Sequence, residues 1–82
     1  MRCQEGDRAV IVGGYRDNIG CLVDIERESK YSGLWIVTTL GPTLAQVGGK
    51  LQVLPARASA CISDEFLWPL PLLKLGVPNG GT

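Results

Sequence analysis

Glycine or proline interrupts almost every window of eleven residues in this 82-residue chain, and that property removes the long helix from the structures it can build. The chain carries 11 glycines and 5 prolines, so it must proceed through many turns and short elements. Between the breakers the remaining signal has a period of two. From Gly20 onward, Cys21, Val23 and Ile25 fall on one face and Asp24, Glu26 and Glu28 on the other, with Leu22 the exception. That alternation is the signature of a strand with one face in a core and the other in water.

Other stretches read in the same way. Ala9-Val10-Ile11-Val12 is a short β-branched run entered through the turn pair Gly6-Asp7 and ended by Gly13-Gly14. Asp17-Asn18 tolerates left-handed backbone in the loop that follows, so 6–28 reads as a hairpin with a connection too long for a two-residue turn. Leu34-Trp35-Ile36-Val37-Thr38-Thr39 is rich in aromatic and β-branched residues and predicts a central strand, stopped by Gly41-Pro42. Thr43 to Val47 fits either one helical turn or an edge strand. Gly48-Gly49 reverses the chain into the strand Lys50–Leu54, with Leu51 and Val53 on one face, and Pro55 closes it. Arg57 to Ile62 is ambiguous. Ser63-Asp64-Glu65 is a cap-and-turn cluster that predicts a single 3₁₀ or helical turn through Phe66 and Leu67, with the serine bonding the amides ahead of it. Trp68-Pro69-Leu70 is a last short strand, at an edge because of its proline. Pro71 to Val77 is apolar but broken, and Pro78 to Thr82 reads as a disordered tail.

Five or six short antiparallel strands joined by turns make an all-β domain. A flat sheet of that length leaves long edges, so the expected architecture is a small barrel. The domain organisation expected is an N-terminal lead at 1–5, the barrel at 6–70, and an apolar then Gly-rich C-terminal tail at 71–82. A chain this short holds one core and buries roughly 60–65% of its unfolded surface.

Charge and cysteine usage exclude more than they assign. Eight basic and eight acidic residues cancel, and no block of like charge reaches five, so a strongly basic nucleic-acid surface is not supported. Met1-Arg2-Cys3-Gln4-Glu5 turns acidic where a signal peptide would turn apolar, and no stretch approaches the ~20 apolar residues of a membrane span. The expected location is the cytoplasm. Cys3, Cys21 and Cys61 form an odd set without CxxC spacing and read as reduced thiols. Cys21 and Cys61, inside apolar or alternating runs, are expected in the core; Cys3, near the terminus, is expected to be exposed.

The first hairpin resembles the KOW-type opening of SH3-like barrels, carried here by Gly6, Asp7, Val10, Val12, Gly13, Gly20, Val23 and Ile25. The turn before the final strand is a recurring device of that class, and Gly20 would enter the second strand through a positive φ or a bulge. The remainder, ending SDEFLWPL, is similar to small SH3-like proteins carried by phages, prophages and bacterial mobile elements, most without an assigned function. The resemblance covers 6–70 and implies a fold rather than a role, since such barrels serve many unrelated functions. KOW modules contact nucleic acid through basic loops, whereas this hairpin offers only Arg16 beside Asp17, and Arg8 beside Asp7. Signalling SH3 domains bind proline-rich peptides in an aromatic groove, and no paired-tyrosine motif of that kind is present. The type II dihydrofolate reductases are also short SH3-like chains. Their Gly-Asp-Arg start matches Gly6-Asp7-Arg8, and their Val-Gln-Ile-Tyr segment matches Leu51-Gln52-Val53-Leu54 in part. Leu54 stands at the tyrosine position and no lysine matches the pore lysine, which removes most of a polar pore.

The chain has no histidine, so histidine-based nucleophile systems, the commonest general base and most transition-metal sites are out of reach. Gly13-Gly14 and Gly48-Gly49 are not phosphate loops, because no GK[ST] follows and neither precedes a helix. Asp64-Glu65 reads as a solvated turn, and Asp24, Glu26 and Glu28 as a solvent-facing strand surface. No catalytic, cofactor-binding or metal-binding residue is assigned, and no cofactor is expected. The expected role is a non-catalytic binding or assembly module whose partner is a protein or another copy of the chain. The candidate surface is Tyr15, Arg16, Asn18, Tyr31 and Trp68, with Trp35 and Phe66 expected in the core. A nucleic-acid-binding module, through the 15–18 loop with Arg8, Arg27 or Lys30, is the alternative; a reductase-like enzyme is the lesser one.

Overall fold

The computed structural model of the chain describes residues 2–70; the expected tail at 71–82 lies outside the described residues. The strands are β1 (Arg8–Ile11), β2 (Leu22–Glu28), β3 (Leu34–Thr39), β4 (Thr43–Val47), β5 (Lys50–Leu54), β6 (Ser59–Ser63) and β7 (Leu67–Pro69). Single 3₁₀ turns occur at Arg16–Asn18 and Asp64–Phe66. The fold is all-β, and both segments left ambiguous by the sequence are strands, which raises the number from five or six to seven among the described residues. The segment 43–47 becomes a strand because Gly48 and Gly49, at φ +59° and +82°, form a two-residue reversal that sets it beside β5. Glycine adopts two such dihedrals in succession at no steric cost. β6 becomes a strand because it lies antiparallel along β3 for five residue pairs.

The strands form two antiparallel sheets: a five-stranded sheet in the order β6-β3-β2-β1-β7, and the β4–β5 hairpin. Among the described residues, the expected closure into a barrel is not made by strand pairing. β6 and β7 are the two edges of the sheet, and the 3₁₀ turn Asp64–Phe66 carries the chain from one edge to the other. Trp68 and Pro69 sit on an edge strand, as the proline required.

The core follows from the period of two. Ala9 and Ile11, Val23 and Ile25, Trp35 and Val37, and Leu67 are all buried, and register places them on one face of the sheet. Ala60 and Ile62 of β6 pack against them from the same face. Each large aliphatic side chain enclosed there contributes about 1.5–3 kcal/mol. The outer face carries Arg8 and Asp24, whose side chains pair at 2.8 Å, and Glu26, which accepts the Thr38 hydroxyl at 2.7 Å.

Two cysteines are placed differently from the expectation. Cys61 is exposed because it lies opposite Ile36, on the outer side of a strand whose inner residues are Ala60 and Ile62. Cys3 is buried, at 3% exposure, because the side chain of Asp64 holds the segment ahead of β1 against the core. Asp64 accepts the amides of Arg2 at 2.9 Å and Cys3 at 3.1 Å, and the indole N–H of Trp35 at 2.8 Å. It is therefore not the solvated turn carboxylate its sequence neighbours suggested. The serine cap is not formed either: Ser63 makes no side-chain bond to the turn that follows it.

Candidate binding groove

The connection from β1 to β2 runs from residue 12 to residue 21 and is organised by aromatic packing and one buried amide. The ring of Phe66 lies across Gly13 and Gly14; a Cβ on Gly13 would stand 2.8 Å from the ring, so this close approach requires glycine. Val12 donates its amide to the carbonyl of Phe66 at 2.8 Å, which ties the loop to the second 3₁₀ turn. Gly20 has φ +95°, the left-handed conformation anticipated for the entry to the second strand.

Asn18, at the end of the first 3₁₀ turn, reaches the hairpin. Its Nδ2 donates to the Leu44 carbonyl at 2.8 Å, and its Oδ1 accepts the Leu44 amide at 2.7 Å. One side chain thus stands in for a neighbouring strand and satisfies both backbone groups of Leu44. Asn18 is 5% exposed, so the candidate surface loses this residue: its polar atoms face the hairpin, not solvent. Thr39 secures the other side of the hairpin. Fully buried, it donates its hydroxyl to the Pro55 carbonyl at 2.7 Å and accepts the Ala58 amide at 2.9 Å.

Held at these two points, the hairpin stands beside the free edge of β6, with a groove of about 850 Å³ between hairpin, loop and sheet. Tyr15, Ile36, Leu44, Val47, Ile62 and Phe66 supply much of its apolar lining, and no lining residue is charged. One wall is a strand edge. The bonds Asp64 N–H to Gly33 O and Thr39 N–H to Ala58 O bracket the β3–β6 ladder. By the alternation of an antiparallel pair, residues 60 and 62 bond to β3, while the backbone groups of Ser59, Cys61 and Ser63 point outward. All three residues line the groove.

Of the candidate surface residues, Tyr15 and Asn18 lie at this groove. Arg16 is exposed on the neighbouring turn. Tyr31, 61% exposed, is in the β2–β3 connection with the Lys30 ammonium 5.3 Å from its ring centre. Trp68 is 51% exposed on β7 and carries the guanidinium of Arg2 5.1 Å from its ring centre. Neither lines the groove. The features sequence reasoning missed are the β6 edge and the Asn18 clamp; the Asp-Asn pair marked a turn but gave no sign of a partner 26 residues away.

No family model, curated protein or solved structure matches this chain.

No group of three or more histidines, cysteines or carboxylates among the described residues could hold a metal ion. Cys3 is a poor nucleophile: burial, followed by the nearby carboxylates of Asp64 and Asp7, raises its thiol pKa to about 11. For Asp64, partial burial favours the neutral acid, but the bonds from Arg2, Trp35 and Cys3 outweigh it and lower the carboxyl to about 2. No helix of the described residues is long and apolar enough to cross a membrane.

Proposed function

We propose that this protein is a small non-catalytic binding and assembly module built on an SH3-like barrel, and that its groove receives an extended apolar chain segment. Two features support the fold reading: the sheet order β6-β3-β2-β1-β7 and a single 3₁₀ turn leading into the last strand. On this reading β4–β5 is a hairpin inserted between the third and fourth barrel strands. The observation that carries the function is the uncharged groove walled by a free strand edge. An added strand gains main-chain hydrogen bonds from the edge and places alternate side chains in the apolar lining. A phosphate backbone would find no cation in that lining. Outside the groove, Arg8 is paired with Asp24, while Arg16, Arg27 and Lys30 are exposed.

The occupant we assign is the segment 71–77, PLLKLGV, of the same molecule. Leu73, Leu75 and Val77 alternate with Lys74 and Gly76, the period a strand needs to set one side into an apolar groove. The chain leaves β7 at Leu70, whose amide bonds the Arg8 carbonyl at 2.7 Å, so the segment follows the barrel directly. Amide hydrogen exchange on the full chain tests this. If the segment pairs with β6, the amides of Ser59, Cys61 and Ser63 exchange slowly, and the double variant Leu73→Asp, Leu75→Asp releases them. Fast exchange at these amides in the unmodified chain, or unchanged protection in the variant, rules the occupant out.

A further inference from the structure

The hairpin presents a further free edge at β5, distinct from the groove. Its ladder pairs Thr43 with Leu54, Leu44 with Val53, Ala45 with Gln52, Gln46 with Leu51 and Val47 with Lys50, without a bulge. Asn18 occupies the backbone groups of Leu44, so the Leu44–Val53 pair is a non-hydrogen-bonded one. The alternation then directs the N–H and C=O of Leu51 and Val53 away from β4 into solvent. Their side chains are 53% and 63% exposed. The strand past them ends at Pro55, which has no amide and whose carbonyl is bonded by Thr39. The open edge of β5 therefore consists of four backbone groups on two apolar residues. Among the described residues no element covers it, its ladder has no bulge, and its one charge is Lys50 at the turn end. A projecting two-stranded hairpin is also marginally stable in water on its own.

We infer that β5 pairs with β5 of a second copy, antiparallel about a two-fold axis through Gln52, to make a continuous four-stranded sheet. The strand's own pattern argues for a second copy as the partner. In this register Leu51 lies opposite Val53 of the other copy at both ends, and all four outward groups of each strand find a partner. A slip by one residue turns the outward groups of one strand toward atoms already bonded within the other hairpin. A slip by two brings Pro55 or the Gly49 turn into the ladder. The two-fold register sets the four exposed side chains of Leu51 and Val53 side by side in one apolar strip, and Gln52 faces its own copy, where two side-chain amides can bond each other. Charge is compatible as well. Lys50 is the only charged residue of the hairpin, and the register separates the two lysines by about four residues, ~13 Å, beyond the screening length of ~10 Å at 0.1 M salt. A closed two-fold contact of this kind is isologous and stops at the dimer. It does not depend on what fills the groove beside β6.

Cysteine cross-linking of the full chain tests the register, with Cys61→Ser added to remove the exposed thiol. Gln52→Cys places two cysteines directly across the axis, where Cα atoms of a non-hydrogen-bonded pair lie ~4.5 Å apart, within disulfide range. Lys50→Cys places them ~13 Å apart. The expected result is a disulfide-linked dimer that forms at least tenfold faster for Gln52→Cys than for Lys50→Cys. Gln52 is exposed, so its replacement leaves the monomer folded. Equal rates overturn the proposal. In sedimentation equilibrium without cross-linking, the unmodified chain forms a dimer and Gln52→Lys, which sets like charges opposite each other, reverts to monomer. A dimer that persists in Gln52→Lys, or a chain that stays monomeric at every concentration, also overturns it. The Leu73→Asp, Leu75→Asp variant retains the dimer, which separates this contact from the groove.

Discussion

Asn18 is the most informative residue to change, because one side chain joins the hairpin to the rest of the fold. Replacing it with alanine removes the bonds of 2.8 and 2.7 Å to both backbone groups of Leu44. A hydrogen bond of this type contributes about 1 kcal/mol net, and an orphaned group costs more where water cannot reach it. Leu44 is only partly buried, so water can replace part of what is lost. Asn18→Ala should therefore destabilise the protein by about 2 kcal/mol, a fall in Tm on the order of 8–16 °C for a domain of this size. Asn18→Asp is the sharper test. The introduced carboxylate can still accept the Leu44 amide, but its second oxygen meets the Leu44 carbonyl with no proton between them. Protonation restores a donor, so the folded state raises the pKa of the introduced carboxyl above its unfolded value of about 3.9. With that sign, the stability advantage of Asn18→Asp over Asn18→Ala is fully present below the unfolded pKa and is lost as pH rises through the folded one. Urea unfolding followed by tryptophan fluorescence between pH 4.5 and 7.5 reads the difference, with Trp35, 5% exposed, as the reporter. An Asn18→Ala variant within 0.5 kcal/mol of the unmodified protein, or a difference between the two variants that is flat with pH, would refute the clamp.

Other substitutions probe the remaining supports. Gly13→Ala drives a methyl to 2.8 Å from the Phe66 ring and should cost about 1–3 kcal/mol, less in a Phe66→Leu background; a double-mutant cycle measures the coupling. Thr39→Val keeps the shape of a fully buried residue but removes both of its hydroxyl bonds, for a loss of about 2 kcal/mol by chemical denaturation, whereas Thr39→Ser retains most of the stability. The carboxyl of Asp64, held near 2, titrates below its unfolded value of about 3.9, so its contribution is complete above pH 4 and is lost as pH falls toward 2. Stability of Asp64→Asn should lack that slope in an acid unfolding series. Thiol labelling under native conditions should modify Cys61 first and Cys3 only on unfolding, since Cys3 is buried with its pKa near 11; fast labelling of Cys3 would contradict its placement.

How far each element could be read depends on the range of the interaction that makes it. Periodicity is a local property. The alternation Cys21-Val23-Ile25, the aromatic and β-branched run 34–39 and the breaker at Pro69 each placed a strand, and Val23, Ile25, Trp35 and Val37 are the buried residues that pattern requires. The turn at Asp64–Phe66 was legible for the same reason. β6 was not, because Ser-Ala-Cys-Ile-Ser has weak strand character and becomes a strand only by lying along β3. Nor were the faces of the cysteines. Strand parity puts Cys61 outside, and a carboxylate 61 residues away fixes Cys3 inside.

The sequence by itself determined the class of this protein: Gly and Pro spacing forbids long helices, period-two runs demand half-buried strands, and the absence of histidine removes the commonest catalytic and metal chemistry. The groove, the Asn18 clamp and the free edges of β5 and β6 were decided only in the tertiary structure. An edge exists by reference to which strands found neighbours, and a buried amide by reference to a partner distant in the chain. Both are long-range outcomes that no local window of residues encodes.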